Sequence, residues 1–145
     1  MRHFLSILFV LLATAAHAEV GHIDNEEFAR LLTSRVPVID IRTEGEWKET
    51  GIVKDSRLMT FFDEKGRVDA PAWLEKLKAI ARPEEPVVVI CRTGNRTRVV
   101  AQFLDQQGYK KVYNVKNGIV GWMKDSRPVA PAAPVLTACA AGGKC

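Results

Sequence analysis

The chain has 145 residues, of which 47% are hydrophobic and 26% charged, with a formal net charge of +4. This is the composition of one compact domain with a real core, which sets aside a disordered chain. The positive excess is too mild to argue for nucleic acid, though it is compatible with a small anionic substrate.

The chain opens on Met1-Arg2-His3, a short positive start, and residues 4–16 are almost unbroken apolar sequence. Ala16-His17-Ala18 then places small residues at the −3 and −1 positions of a signal peptidase site, with Glu19 next. An apolar run of about thirteen residues falls short of the ~20 that span a bilayer, so the pattern predicts a cleaved signal peptide over 1–18 rather than an anchor. No cysteine follows the run, which argues against lipid attachment. The expected location is the periplasm, with no stable membrane insertion after cleavage.

From residue 19 the pattern alternates between helix and strand. Asp24-Asn25-Glu26-Glu27 reads as a capping box, and Phe28, Leu31 and Leu32 follow at helical spacing. Pro37-Val38-Ile39-Asp40-Ile41 reads as a buried strand that delivers Asp40 and Arg42 at its carboxyl end. Residues 44–50 predict a short helix carrying Trp47 and stopped by Gly51, and residues 57–61 a further strand. Asp63-Glu64-Lys65-Gly66 is a turn. Asp69-Ala70-Pro71 opens a helix with apolar residues at Trp73, Leu74, Leu77 and Ile80.

Val87-Val88-Val89-Ile90 has the continuous apolar character of a central parallel strand covered on both faces. A polar loop over 91–97 leads to a helix reaching about Gln107, with Val99, Val100, Phe103 and Leu104 expected inward and Gly108 ending it. Residues 111–115 form a last strand. Asn117-Gly118 is a turn, with asparagine tolerating a left-handed conformation, and a short helix runs over 119–123. The expected domain is 19–128, an α/β fold with a small, mostly parallel central sheet and helices on both faces. The Pro/Ala stretch that begins at Pro128 reads as linker, so residues 129–145 are expected to be a flexible tail without regular helix, carrying Cys139 and Cys145.

Cys91 stands out among three cysteines. It lies just beyond the carboxyl end of the central strand, the usual ligand position in open α/β sheets. A helix starting after the loop would direct backbone N–H groups and its positive dipole end at the thiol, favouring thiolate. Arg92 and Arg96 add positive charge, Gly94 permits positive φ so that the loop can curl around an anion, and Thr97 is placed to cap the helix. Two arginines, a glycine and an asparagine do not belong in the apolar core of an ordinary buried cysteine, so Cys91 reads as a nucleophile. Solvated surface charge is an equal alternative for Arg92.

Cys91-Arg92-Thr93-Gly94-Asn95-Arg96-Thr97 resembles the active-site loop of the single-domain rhodaneses, a family of sulfurtransferases. Val38-Ile39-Asp40-Ile41-Arg42 resembles the first signature strand of that family. Glu46-Trp47 through Gly51-Ile52 and the stretch over 114–122, then Arg127-Pro128-Val129, resemble later signatures. The resemblance covers nearly the whole domain. It implies a rhodanese-like fold and a ping-pong reaction without a cofactor or metal. Cys91 would take sulfane sulfur from a donor such as thiosulfate as a persulfide and pass it to cyanide or a thiol. The loop from Arg92 to Thr97 would cradle the persulfide and the anionic donor, and Asp40 with Arg42 would form a buried polar support. Departures from the family pattern include Thr50 where many relatives carry histidine, Val53-Lys54-Asp55 in place of a small residue, and Asn117-Gly118 for Gly-Gly.

Two other functions compete. Cdc25-type phosphatases use a loop one residue longer; here Arg96 follows Cys91 after only four intervening residues, which suits a single sulfur better than a phosphoryl group and disfavours phosphatase or arsenate reductase chemistry. A non-catalytic sulfur carrier or redox-sensing module is the other. Cys139 and Cys145, five residues apart in a glycine-containing tail, suit a small disulfide loop or a sulfur relay reaching Cys91.

Overall fold

The computed structural model describes residues 19–145; the expected signal peptide over 1–18 lies outside them. Five strands form one parallel sheet in the order β1-β5-β4-β2-β3. They are β1 (Glu19–Ile23), β2 (Val38–Asp40), β3 (Arg57–Leu58), β4 (Val87–Ile90) and β5 (Lys111–Val115). Between and after them lie α1 (Asn25–Thr33), α2 (Glu44–Thr50), α3 (Ala70–Lys78), α4 (Asn95–Gln106), α5 (Gly118–Lys124) and α6 (Ala133–Ala140).

The central β4 pairs with β2 on one side and β5 on the other, and all four of its residues are fully buried. Its side chains alternate between two cores, as pleating requires. Val87 and Val89 join Trp73, Leu77, Val100 and Leu104 under α3 and α4. Val88 and Ile90 join Phe28, Ile119 and Trp122 under α1 and α5. This two-sided cover is why the strand is apolar throughout, and why its carboxyl end is a place where polar chemistry can begin.

Local signals place most helix ends. Asp24 caps α1 by accepting from the Glu27 N–H at 2.9 Å, but the Glu27 carboxylate turns to Arg30 instead of closing a capping box. The reciprocal box occurs at α2, between Thr43 and Glu46. Asp69 caps α3, with Pro71 in the first turn where a missing N–H is harmless.

Five further points differ from the sequence-based reading. β1 was not foreseen, because Glu-Val-Gly-His-Ile has no apolar run; its pairing with β5, from Glu19 opposite Lys111 to Ile23 opposite Val115, creates it. The strand expected over 57–61 keeps only two residues, although the Met59 and Phe61 N–H groups still donate to the Asp40 and Ile41 carbonyls. The buried face of α4 is Thr97, Val100, Ala101 and Leu104, with Val99 54% exposed, because the helix starts at Asn95. Positive φ falls on Gly118 (+56°), not on Asn117 (−109°).

The fifth point is the tail. Pro134 sits in the first turn of α6, so it starts a helix rather than preventing one. Ala130 exchanges two backbone hydrogen bonds with Ile52, at 2.7 and 2.9 Å, and the Leu58 N–H donates to the Cys145 carbonyl. Ala132, Val135 and Leu136 then cover Trp47, Ile52 and Leu58. Removing residues 129–145 uncovers that cluster, and by the area buried it lowers stability by about 2–4 kcal/mol. A urea-unfolding midpoint unchanged by the truncation would show that the tail contributes nothing to the fold.

Candidate active site

Cys91 follows β4 directly and is 1% exposed. The Gly94 N–H donates to its sulfur at 3.2 Å, and Thr97 Oγ1 lies 3.3 Å away. The loop is held open in this shape from outside. The Ile119 and Val120 N–H groups at the start of α5 donate to the Cys91 and Arg92 carbonyls at 2.9 and 3.1 Å. Those carbonyls thus face α5, while the Gly94 N–H faces the sulfur. Close approach of backbone to backbone demands glycine at two points. At Gly94 (φ +89°) a Cβ would stand 2.2 Å from the Lys116 carbonyl oxygen, and at Gly118 a Cβ would stand 2.4 Å from that of Arg92.

Thr97 is not the helix cap; Gly94 holds that position. The Thr97 hydroxyl is buried in the first turn of α4 and donates to Asn114 Oδ1 of β5 at 2.5 Å. Asn114 Nδ2 donates to the Gly94 carbonyl at 3.3 Å and lies 3.0 Å from His22 Nδ1 on β1. A carbonyl only accepts, so the amide nitrogen must face Gly94 and the amide oxygen must face Thr97. With its proton committed to Asn114, the Thr97 oxygen meets the Cys91 sulfur as an acceptor. The site therefore offers an acceptor to a thiol and a donor, Gly94 N–H, to a thiolate.

Both loop arginines are paired with α2. Arg96 makes a two-pronged contact with Glu46, at 2.9 and 2.6 Å, and Arg92 reaches Glu49 at 3.2 and 3.5 Å. The first pair is largely shielded and the second open to solvent. Thr93 and Asn95 are exposed at the rim. Beneath the loop, Arg42 and Asp40 are both fully buried and doubly hydrogen-bonded, with Nη2 2.7 Å from Oδ2 and Nε 2.9 Å from Oδ1. Arg42 also donates to Thr50 Oγ1 at 2.7 Å and to the Gly51 carbonyl at 2.9 Å, which ties α2 to the end of β2. Cys139 and Cys145 are paired with each other as a disulfide, Cα atoms 5.0 Å apart, and neither then presents a thiol to Cys91.

A family profile described as the rhodanese-like domain matches residues 24–125. The chain belongs to the rhodanese-like family. It is 30% identical over 113 residues to a sulfurtransferase of Allochromatium vinosum, covering 76% of this chain and 94% of that one. It is 49% identical over 49 residues to the thiosulfate sulfurtransferase GlpE of Actinobacillus pleuropneumoniae serotype 3, a match over 34% of this chain that spans only 45% of that relative's length. The polysulfide-sulfur transferase homodimer of Wolinella succinogenes superimposes with a TM-score of 0.60 at 28% identity, over 80% of this chain and 82% of that one.

In this rhodanese-like domain the loop residues Cys91, Gly94 and Thr97 meet around one sulfur, while Arg92 and Arg96 reach outward to acids. Sequence reasoning missed those acids and also Asn114 and His22. A Thr-x-x-Glu pattern at 43–46 was available as a signal for Glu46, and a lone amide within Val112-Tyr113-Asn114-Val115 was one for Asn114. Glu49 and His22 carry no such signal, because only α2 and β1 packing beside the loop brings them there.

Arg96 holds the Glu46 carboxyl below its ordinary value of 4.5, with help from the Thr43 N–H and against partial burial. A depressed acid stabilises the fold above its unfolded value and loses that contribution as pH falls through the folded one. The stability difference between wild type and Glu46→Gln is thus expected at pH 7 and should shrink as pH drops below 4.5. A difference that grows on acidification would contradict the pairing.

Proposed function

We propose that this protein is a sulfurtransferase that carries sulfane sulfur on Cys91 as a persulfide, from a donor such as thiosulfate to a thiol or to cyanide. The observation that carries this reading is the Cys91 sulfur at the end of β4, hydrogen-bonded by Gly94 N–H in a loop with only four residues between Cys91 and Arg96. In the first half-reaction the thiolate attacks the outer sulfur of thiosulfate. A new S–S bond forms on Cys91, the donor S–S bond breaks, and its electron pair leaves with sulfite. In the second, cyanide or a thiolate attacks the outer persulfide sulfur and the electron pair returns to Cys91.

The residues assign themselves roles in that sequence. Gly94 N–H stabilises negative sulfur, and the amino end of the 12-residue α4 adds its dipole. Gly94 and Gly118 let the loop close around one atom. Asp40 and Arg42 hold the strand end and α2 in place without touching sulfur. The short loop favours this over phosphoryl transfer. The leader pattern at 1–18 supports export to the periplasm, where the tail cysteines would form their disulfide.

Intact-mass measurement after thiosulfate treatment tests the reading directly. A gain of ~32 Da, one sulfur atom, lost again on adding cyanide, is the expected result. No gain on Cys91 with any sulfane donor would overturn it.

A further inference from the structure

We infer that Glu46 and Glu49 are specificity-determining residues that cancel the positive charge of the loop and turn the site toward singly charged organic sulfane donors, such as thiosulfonates, and away from inorganic dianions. The inference rests on the persulfide reading and narrows its donor.

A dianion binds well where cations are unopposed. Here each loop cation has an acid already on it. Arg96 presents its two terminal nitrogens to the two oxygens of Glu46, at 2.9 and 2.6 Å, so its planar fork is filled by a carboxylate. Arg92 meets both oxygens of Glu49. The Asp40–Arg42 pair below is also neutral. The two arginines of the loop therefore carry no unopposed positive charge. Glu46 is fixed in this role, since its Oε2 also accepts from the Thr43 N–H at 3.2 Å as part of the α2 cap. A sulfonate oxygen approaching Arg96 must displace Glu46 or share the guanidinium with it. Each further negative charge on the donor is repelled by Glu46 about as strongly as Arg96 attracts it, so the paired site gives a dianion none of the advantage that an unopposed arginine would.

Thiosulfate and methanethiosulfonate separate charge from chemistry. Both deliver an outer sulfur to the Cys91 thiolate: the donor S–S bond breaks, the new one forms on Cys91, and the electron pair leaves with sulfite or methanesulfinate. They differ by one negative charge. The experiment measures the rate of Cys91 loading by intact mass for each donor, normalised to its reactivity with a small free thiol. Wild type is expected to load from methanethiosulfonate at least as fast as from thiosulfate after normalisation. Glu46→Gln keeps the cap acceptor and removes the charge. It should raise thiosulfate loading roughly tenfold and methanethiosulfonate loading only about threefold. Glu49→Gln, at the exposed pair, should move both in the same direction by no more than about twofold, and less in high salt. If Glu46→Gln does not fold, the Glu49→Gln shift and its loss in salt carry the test.

Loading by both donors, with thiosulfate preferred in wild type and neither variant raising its rate, would overturn this inference and leave the persulfide reading standing. Absence of the ~32 Da gain with either donor would instead sink the persulfide reading itself.

Discussion

Cys91→Ser should abolish sulfur transfer. Thiocyanate formation from thiosulfate and cyanide is expected to fall by at least ~1000-fold, because a hydroxyl at this position neither ionises near neutral pH nor forms a persulfide. The fold should be nearly unaffected. Serine is close in size to cysteine, and the Gly94 N–H and Thr97 hydroxyl that meet the sulfur can both meet an oxygen. Circular dichroism and a melting temperature within ~3 °C of wild type would check that the loss is chemical. Residual turnover within tenfold of wild type would mean that Cys91 is not the nucleophile. Wild type that gains sulfur yet makes no thiocyanate would point to a carrier that needs a partner to unload it.

Arg42→Leu should unfold a large part of the stability margin. It removes the partner of a fully buried Asp40 and the guanidinium hydrogen bonds to the Thr50 hydroxyl and the Gly51 carbonyl. Breaking a buried pair from one side costs about 3–5 kcal/mol, a large share of the total for a domain of this size. The double variant Asp40→Leu/Arg42→Leu removes both charges and should recover part of that loss. Urea unfolding at pH 7 measures both. A single variant within ~1 kcal/mol of wild type would mean that Asp40 is not left as an unpaired buried charge, which would contradict this account.

Much of the architecture is legible along the chain, because it follows from local chemistry. Val87-Val88-Val89-Ile90 is apolar on both faces, and a strand with that pattern belongs in the middle of a covered sheet. Asp24 and Asp69 cap helices that begin where they predict. The loop at 91–97 is too polar for a core and too glycine-dependent for a plain helix start. The tail misleads for a specific reason: proline counts against a helix only inside it, and Pro134 stands in the first turn.

The sequence by itself determines the thiol, the loop length and the strand that presents them, since these depend on neighbours within a few residues. The charge at the mouth is decided elsewhere. Arg92 and Arg96 look like anion ligands in the chain, but 43 and 50 residues earlier Glu49 and Glu46 lie on α2, and only its packing beside the loop pairs them. The same holds for Asn114, which reaches Thr97 because β5 lies next to β4, and for the tail, which becomes structure because Trp47, Ile52 and Leu58 need cover. Local patterns encode what a residue can do; contacts between distant segments decide whether its charge is free to do it.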